Sequence, residues 1–423
     1  MKNFWEKMSI ALKDSILRRR VGFTILALVL FRLLATIPIP GVNAQNLATL
    51  LNSSQFFGFL NIFSGGGISN LSIVMLGVGP FITASIVIQL LTMMFPKWKA
   101  LMHDEGEAGR MKLSNYSRWL SVPLAILSAI GFLSLLQSQN VLPHLGAFAF
   151  IVNVIVITAG STLLMWVGEL ISEFGIGNGV SLLIFAGIVS RLPNDATQFI
   201  ASYDSANIPF YIAAVVISLV VIAGVVFITE AERSVPVTYA KQVRGNKVYG
   251  GASTYLPLRL NQAGVIPIIF ALSILLFPQI ISNFLSHVSN TTIASYATSF
   301  TVFFNNPWVY GGFYFILVVA FTYFYTAVTF DPKQISENLQ RSGAFIPGVR
   351  PGDHTRDHLA AIVTRITLVG ALFLGVVAIL PLIMQAFTAN KSLAIGGTAL
   401  LIVVSVVLDL LKKIDAQVSM REY

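Results

Sequence analysis

The sequence predicts an all-α integral membrane protein with ten transmembrane helices. Of its 423 residues, 55% are hydrophobic and only 11% are charged, a composition typical of a chain that crosses a bilayer many times. Apolar stretches of about 20 residues, the length that spans the hydrocarbon core, recur along the whole sequence. Basic residues are concentrated in alternate loops, which is the pattern that membrane topology produces.

Ten apolar stretches account for the predicted number of helices. They lie at about 22–37, 71–95, 119–137, 147–167, 179–200, 208–229, 263–284, 309–330, 363–388 and 393–411. Each is long enough, or nearly long enough, to cross a bilayer. Residues 1–20 are basic and amphipathic, and the apolar run after them has no small-residue cleavage site. We therefore expect a surface helix that leads into an uncleaved first span.

The basic residues indicate the orientation of the chain. Of the 27 lysines and arginines, 24 lie in the two tails or in the loops after spans 2, 6 and 8. Because cytoplasmic loops are enriched in Lys and Arg, we expect both termini on the cytoplasmic side. The opposite loops contain only Arg191 and Lys391, and Arg32 lies within span 1. The net charge of +9 then indicates acidic partners or anionic lipids on one face.

An even number of spans divides into two halves of five. Residues 1–200 and 201–423 would then be five-helix halves of opposite orientation, an arrangement common in proteins that open around a central path. The second half would carry two basic cytoplasmic loops, 230–261 and 331–362. The sequence similarity between the halves is weak, so this prediction rests on geometry.

A glycine-rich segment interrupts the apolar pattern before span 2. Residues 61–67 are Asn-Ile-Phe-Ser-Gly-Gly-Gly, and successive glycines lose much backbone entropy when they become ordered. Unwound backbone at membrane depth needs protein or water around it to satisfy its polar groups. Two interpretations fit this pattern: a movable element in a cavity, and a flexible extracellular loop.

Several function classes are excluded by the residues that are missing. The chain has no cysteine, so disulfides, thiolate metal sites and cysteine nucleophiles are impossible. The five histidines lack metal-ligand spacing, and neither a phosphate loop nor an HExxH motif occurs. The glycine motif at 175–179 precedes a membrane helix instead of following a strand, so it is not a dinucleotide loop. We predict no catalytic residue, metal or cofactor.

The spans themselves are nearly free of charge. This argues against a proton or sodium relay, which needs ionisable residues at mid-membrane. For Arg32 we favour ion pairing or snorkelling over a role in binding a substrate. Branched aliphatic residues can still gate a pore by excluding water, although ordinary packing explains most such residues. Pairs on single helix faces are Ile82 and Ile86, Val180 and Ile184, and Ile266 and Ile269.

A set of short motifs resembles the SecY/SEC61-alpha family of protein-conducting channels along the whole chain. The motifs lie at 63–67, 80–86, 105–110, 175–179, 239–241, 256–261, 263–267, 343–352 and 396–398. The resemblance implies the channel subunit of a translocon that moves unfolded preproteins across the bacterial plasma membrane. It also implies a central pore, and a lateral gate between spans 2 and 7 that admits signal peptides and releases transmembrane segments into lipid.

The same resemblance assigns roles to individual residues. Residues 57–70 match the plug, a short half-helix that closes the channel from outside. Its expected core consists of Ile62, Phe63, Ser64, Gly65, Gly66, Gly67 and Ile68. The positions that match the family's pore ring are Ile82, Ile86, Val180, Ile184, Ile269 and Ile402. Val180 departs from the more frequent isoleucine but keeps the branched aliphatic character.

The resemblance also implies partners for the cytoplasmic loops. SecE and SecG would complete a heterotrimer, and SecA or a translating ribosome would supply energy, so the chain itself would not be an enzyme. The residues expected to dock SecA or the ribosome are Arg233, Lys241, Arg244, Lys247, Arg350 and Arg356. From the residues alone, positive-inside topology and contact with anionic lipids explain these charges equally well. A secondary transporter and a scaffold without a transport role are the alternative functions.

Overall fold

The computed structural model describes residues 14–40, 64, 66–68, 70–95, 97–98, 101, 105–138, 142, 146–191, 193, 197, 208–239, 242–244, 247–249, 253–285, 291–304, 306–388 and 391–419. The first-half helices are α1 (Ser15–Leu34), α2 (Gly79–Met94), α3 (Gly106–Ser138), α4 (Ala147–Phe174) and α5 (Gly179–Val189). Those that follow are α6 (Ile208–Glu230), α7 (Ile266–Leu285), α8 (Thr291–Phe304), α9 (Pro307–Thr329), α10 (Pro332–Arg341), α11 (Asp353–Thr388) and α12 (Lys391–Ser419).

The chain is mostly helical, and each of the ten apolar stretches overlaps one of these helices. Among the described residues, four helices are long and apolar enough to cross a membrane; they lie within Gly106–Ser134, Ala147–Phe174, Pro307–Arg341 and Asp353–Leu380. Shorter apolar helices occupy the whole of α5 and parts of α2, α6 and α7. Large apolar side chains such as Phe148 and Trp119 are exposed on the outer helix faces, as expected where lipid is the solvent.

Span 2 starts later than the apolar pattern predicts. The stretch begins at 71, but α2 begins at Gly79, with Pro80 in its first turn. Leu71 and Gly77 have φ angles of 44° and 57°, and such left-handed residues cannot continue a right-handed helix. Residues 71–78 therefore form turns instead of the first two turns of a span.

The helices of the two predicted halves, residues 1–200 and 201–423, follow the same packing pattern. In the first half α2 packs on α3, α3 on α4, α4 on α5, and α1 lies against α4 and α5. In the second half α7 packs on α9, α9 on α11, α11 on α12, and α6 lies against α11 and α12. The halves meet where α2 and α3 contact α7, and where α5 contacts α12.

Two small sheets also occur in a chain for which only helices were predicted. Strands β1 (Glu232–Tyr239), β4 (Ser253–Arg259) and β5 (Ala344–Phe345) form an antiparallel sheet in the order β4-β1-β5. Strands β2 (Gln242–Arg244) and β3 (Lys247–Tyr249) form a hairpin. Val235 and Val237 of β1 are buried in one cluster with Leu359 and Ile362 of α11. The two basic loops are therefore joined by a sheet that packs on the start of α11.

Candidate functional site

A buried aliphatic cluster lies where the two halves meet. Ile82 and Ile86 come from α2, Ile184 from α5, Ile269 from α7 and Ile402 from α12, and each is at most 6% exposed. All five belong to one cluster, and the partly buried Val180 packs against it. The cluster is larger than these six positions and continues into α4, α9 and α11. We call it the central cluster.

The segment before α2 is held by backbone hydrogen bonds to the residues that follow α1. We call residues 64, 66–68 and 70–78 the pre-α2 segment. Ile39 N donates to the Leu71 carbonyl at 2.8 Å, and Ile73 N donates to the Ile37 carbonyl at 2.9 Å. Within the segment, the amide of Ile68 donates to Ser64 Oγ at 3.2 Å. These bonds satisfy peptide groups that no helix or sheet satisfies.

Helix α4 holds the other side of the same segment. Ser161 Oγ donates a hydrogen bond of 2.9 Å to the carbonyl oxygen of Gly77. At Gly160 the two backbones are so close that a methyl group on this glycine would lie 2.0 Å from the Ile73 carbonyl oxygen. The sequence signal for this contact is the adjacent small pair Gly160 and Ser161 in an apolar helix, which sequence reasoning missed.

The expected plug residues are only partly described. Ile62, Phe63 and Gly65 lie outside the described residues. Ile68 is 1% exposed, but it belongs to a second cluster with Leu133 of α3 and Ile157 of α4. From the pre-α2 segment it is Val74 and Val78 that join the central cluster. These two valines were not among the expected site residues.

The glycine motif at 175–179 forms the tight connection between α4 and α5. Gly177 has a φ of 91°, which favours glycine. A methyl group on Gly179 would lie 1.8 Å from the carbonyl oxygen of Gly168. Asn178 caps α5 because its side chain accepts a hydrogen bond from Ser181 N. This motif therefore fixes α5, and with it Val180 and Ile184, against α4.

The expected docking residues differ in how they are held. Arg233 on β1 and Arg350 are exposed. Arg356 makes 2.9 Å ion pairs with Asp353 and Asp357 in the first turns of α11. The backbones of Arg244 and Lys247 are paired in the β2–β3 hairpin. The side chains of these two residues, and the whole of Lys241, lie outside the described part of the chain.

Arg350 has a fixed backbone and an exposed side chain. Thr355 Oγ1 donates to the Arg350 carbonyl at 2.9 Å, and Ser336 Oγ donates to the Gly352 carbonyl at 2.6 Å. Gly348 and Gly352 both have positive φ angles, so the turns on either side of Arg350 need glycine. The fixed backbone therefore defines the place at which this exposed side chain leaves the surface.

In the described ranges, no group of three His, Asp or Glu residues could hold a metal ion.

Together, the helical architecture and the apolar helices define a polytopic membrane protein whose two helix sets meet around the central cluster. A family model described as SecY matches residues 72–411. The chain is 41% identical over 427 residues to the protein translocase subunit SecY of Mycobacterium tuberculosis (strain CDC 1551 / Oshkosh), covering 96% of both chains. It is 41% identical over 418 residues to the subunit of the same name in Halalkalibacterium halodurans, again covering 96% of both. The chain belongs to the SecY family.

Solved structures show the same fold. A protein-conducting channel matches with a TM-score of 0.64 and 20% identity, over 96% of this chain and 94% of that one. A SecY structure, whose plug domain stabilises the closed state of the translocation channel, matches with a TM-score of 0.65 and 18% identity, over 96% and 93%. The family resemblance carried by the sequence motifs is thus confirmed.

Proposed function

We propose that the protein is the central channel subunit of a Sec translocon, which moves unfolded preproteins across the plasma membrane. The observation that carries this proposal is the convergence of Ile82, Ile86, Ile184, Ile269 and Ile402 in one buried cluster between the halves. In a SecY-family chain, these residues and Val180 would form the pore ring. A narrow aliphatic ring excludes water when empty and can close around any passing chain, because it makes no sequence-specific polar contacts.

The lateral gate would lie between α2 and α7. These helices pack directly against each other and contribute Ile86 and Ile269 to the same cluster. A signal peptide carries an apolar segment of about 7–15 residues, which gains about 0.8 kcal/mol for each CH₂ group buried in lipid. Separation of α2 from α7 would let this segment reach lipid while the polar chain behind it remains in the pore.

The full topology is ten spans with both termini on the cytoplasmic side. Three observations support it: the helix in every apolar stretch, the basic residues in alternate loops, and the packing pattern that recurs in the two halves. The same recurrence supports a division into an N-terminal half, 1–200, and a C-terminal half, 201–423. Opposite orientation of the halves follows from the odd number of spans in each.

Residues 57–70 would be the plug of this channel. Support comes from the similar SecY structure whose plug domain stabilises the closed state and maintains a membrane seal. The described part of this region leads directly into the turns before α2, which are hydrogen-bonded to the residues after α1 and to α4. A plug connected in this way would be sensitive to any movement of α2.

The energy for transport would come from partners, because the sequence has no nucleotide-binding motif. SecA or a translating ribosome would dock on the sheet and on the loop around Arg350, and SecE and SecG would complete the complex. Similar structures include Sec61 in a canine ribosome–channel complex, with a TM-score of 0.59, and a yeast Ssh1 complex bound to the 80S ribosome, with a TM-score of 0.60. Arginine suits such docking because its guanidinium binds phosphate and carboxylate groups in a bidentate manner.

Reconstitution tests the proposal. The purified chain is placed in vesicles with SecE and SecG, and SecA, ATP and a preprotein with a signal peptide are added. We expect the preprotein to become protected from external protease, and the same preprotein without its signal peptide to remain degraded. Uptake of a small substrate driven by an ion gradient, with no protected preprotein, would instead indicate a secondary transporter.

A further inference from the structure

Two arginines that depart from the basic-loop pattern lie together in the folded protein. Arg32 is in the last turn of α1, and Arg191 follows the end of α5. In the proposed topology both lie towards the outer side of the membrane, where lysine and arginine are otherwise scarce. Of the 27 basic residues, the only other one assigned to that side is Lys391.

The arginines meet at Gly66 in the pre-α2 segment. A methyl group built on Gly66 would lie 3.6 Å from Arg32 Nη1, and 3.9 and 4.0 Å from Cγ and Cδ of Arg191. These are ordinary van der Waals distances, so the two side chains flank the glycine from α1 and from the end of α5. Gly66 has a φ of 82°, which allows the chain to turn at this point.

The described residues of the turn between the arginines are buried. Ser64 is 0% exposed, Ile68 is 1% exposed, and Gly66 and Gly67 are also buried. A guanidinium carries five N–H donors and no acceptor, and a buried turn offers peptide carbonyl groups. Placing cationic groups beside buried peptide groups is favourable when they donate hydrogen bonds, and costly otherwise.

We propose that Arg32 and Arg191 are positioning residues that hold the turn around Gly66 in its buried position and so keep the resting channel closed. We call this buried position the seat. The inference rests on the proposed function, in which this turn belongs to the plug. Arg32 lies on α1 and Arg191 follows the end of α5, and the turn continues through the pre-α2 segment into α2 on the proposed gate. Movement of the turn away from its buried position would therefore break its contacts with both arginines.

A single cysteine reports directly on the seat. The chain has no natural cysteine, so Ile68→Cys introduces one thiol at a position that is 1% exposed. A maleimide reacts with this thiol only when the turn opens, and the labelling rate measures the open fraction. In vesicles containing the Ile68→Cys protein, we expect Arg32→Gln and Arg191→Gln each to increase this rate by about tenfold or more, because the shorter, neutral side chain loses the packing and the charge beside the turn.

Matched variants separate positioning from general destabilisation. Arg32→Lys and Arg191→Lys retain the charge, so we expect labelling rates between those of the parent and the glutamine variants. Arg259→Gln removes an exposed arginine from β4, and its labelling rate should equal that of the parent. Thermal unfolding of each variant is followed in parallel, so that an opened seat is distinguished from an unfolded protein.

A substitution at Gly66 perturbs the same contact without changing either arginine. Gly66→Ala places a side chain on left-handed backbone, so it should also accelerate labelling even where an arginine variant does not fold. The proposal is overturned if the rates for both glutamine variants, or for Gly66→Ala where those do not fold, equal the parent rate in folded protein. Because labelling needs no preprotein, failure of translocation would refute the proposed function and leave this result standing.

Discussion

The hydroxyl of Ser161 in α4 donates a hydrogen bond of 2.9 Å to the carbonyl oxygen of Gly77, two residues before α2 begins. The Ser161 side chain is 4% exposed, so water does not replace the bond. The contact joins the helix at the centre of the N-terminal half to the turn that directs α2. This hydroxyl is therefore one of the contacts that position α2, and with it Ile82 and Ile86.

Removing this hydroxyl should destabilise the N-terminal half. We expect Ser161→Ala to lower the free energy of unfolding by about 1–3 kcal/mol, because a buried carbonyl loses its side-chain donor. Thermal unfolding in detergent measures the change. Thr158→Val is the control, since it removes a buried hydroxyl without loss of volume, and the described bond of that hydroxyl goes to the Val154 carbonyl within its own helix. Equal losses for the two variants would contradict a special role for the bond to Gly77.

The neighbouring glycine should tolerate no side chain. Gly160→Ala would bring a methyl group to 2.0 Å from the Ile73 carbonyl oxygen, so α4 and the pre-α2 segment must separate. Overpacking of this kind costs about 1–3 kcal/mol, and we expect a lower unfolding temperature. The control is Gly312→Ala in α9, which has no atom within 4 Å of the new methyl group. There the better helix propensity of alanine should leave stability unchanged or raise it.

These contacts explain how far the sequence could predict the fold. Apolar length is a local property, so each stretch could be located without knowledge of its neighbours. The start of α2 could not be located in this way, because the turns that begin at Leu71 are held by hydrogen bonds to the residues after α1 and by the close approach of Gly160 to Ile73. The small sheet was missed because β1 pairs with β5, which lies beyond four further helices.

The candidate site was predictable only in part for a similar reason. Helix periodicity places Ile82 and Ile86 on one face of α2, but it cannot decide whether that face meets lipid or protein. Val87 on the same helix is 36% exposed, whereas Ile86 is 2% exposed. The family motifs favoured the face that carries Ile82 and Ile86, and this face is buried in the structure. Val74 and Val78 reach the central cluster because of the turns before α2, and no periodic pattern in the sequence indicates this.

Polar substitution in the central cluster should open a path for ions. We expect Ile86→Ser or Ile184→Ser to increase the ion leak of vesicles containing the resting channel, because a hydroxyl stabilises water in the proposed ring. Electrical conductance across a planar bilayer measures the leak. Ile151→Ser on the exposed face of α4 is the control, and it should conduct like the parent. Unchanged conductance for both cluster variants would contradict the ring assignment.

Reversal of charge at Arg350 should weaken partner docking without unfolding the protein. The backbone there is fixed by Thr355 and by turns containing Gly348 and Gly352, so the exposed side chain can change without loss of packing. We expect Arg350→Glu to weaken the binding of SecA or ribosomes by about tenfold or more, because the reversed charge turns attraction into repulsion at this contact. Binding is measured by sedimentation with vesicles at two salt concentrations, and transport by protease protection.

The choice of control makes the Arg350 experiment specific. Arg341→Glu changes the net charge equally, on an exposed position of α10 where the arginine lies 3.7 Å from Glu337. If basic charge acts only through anionic lipids, each arginine contributes about 1 kcal/mol and the two variants should weaken binding alike. A larger loss for Arg350→Glu, reduced at high salt as screening requires, supports docking at this turn. Normal binding and transport by Arg350→Glu would remove the residue from the docking surface.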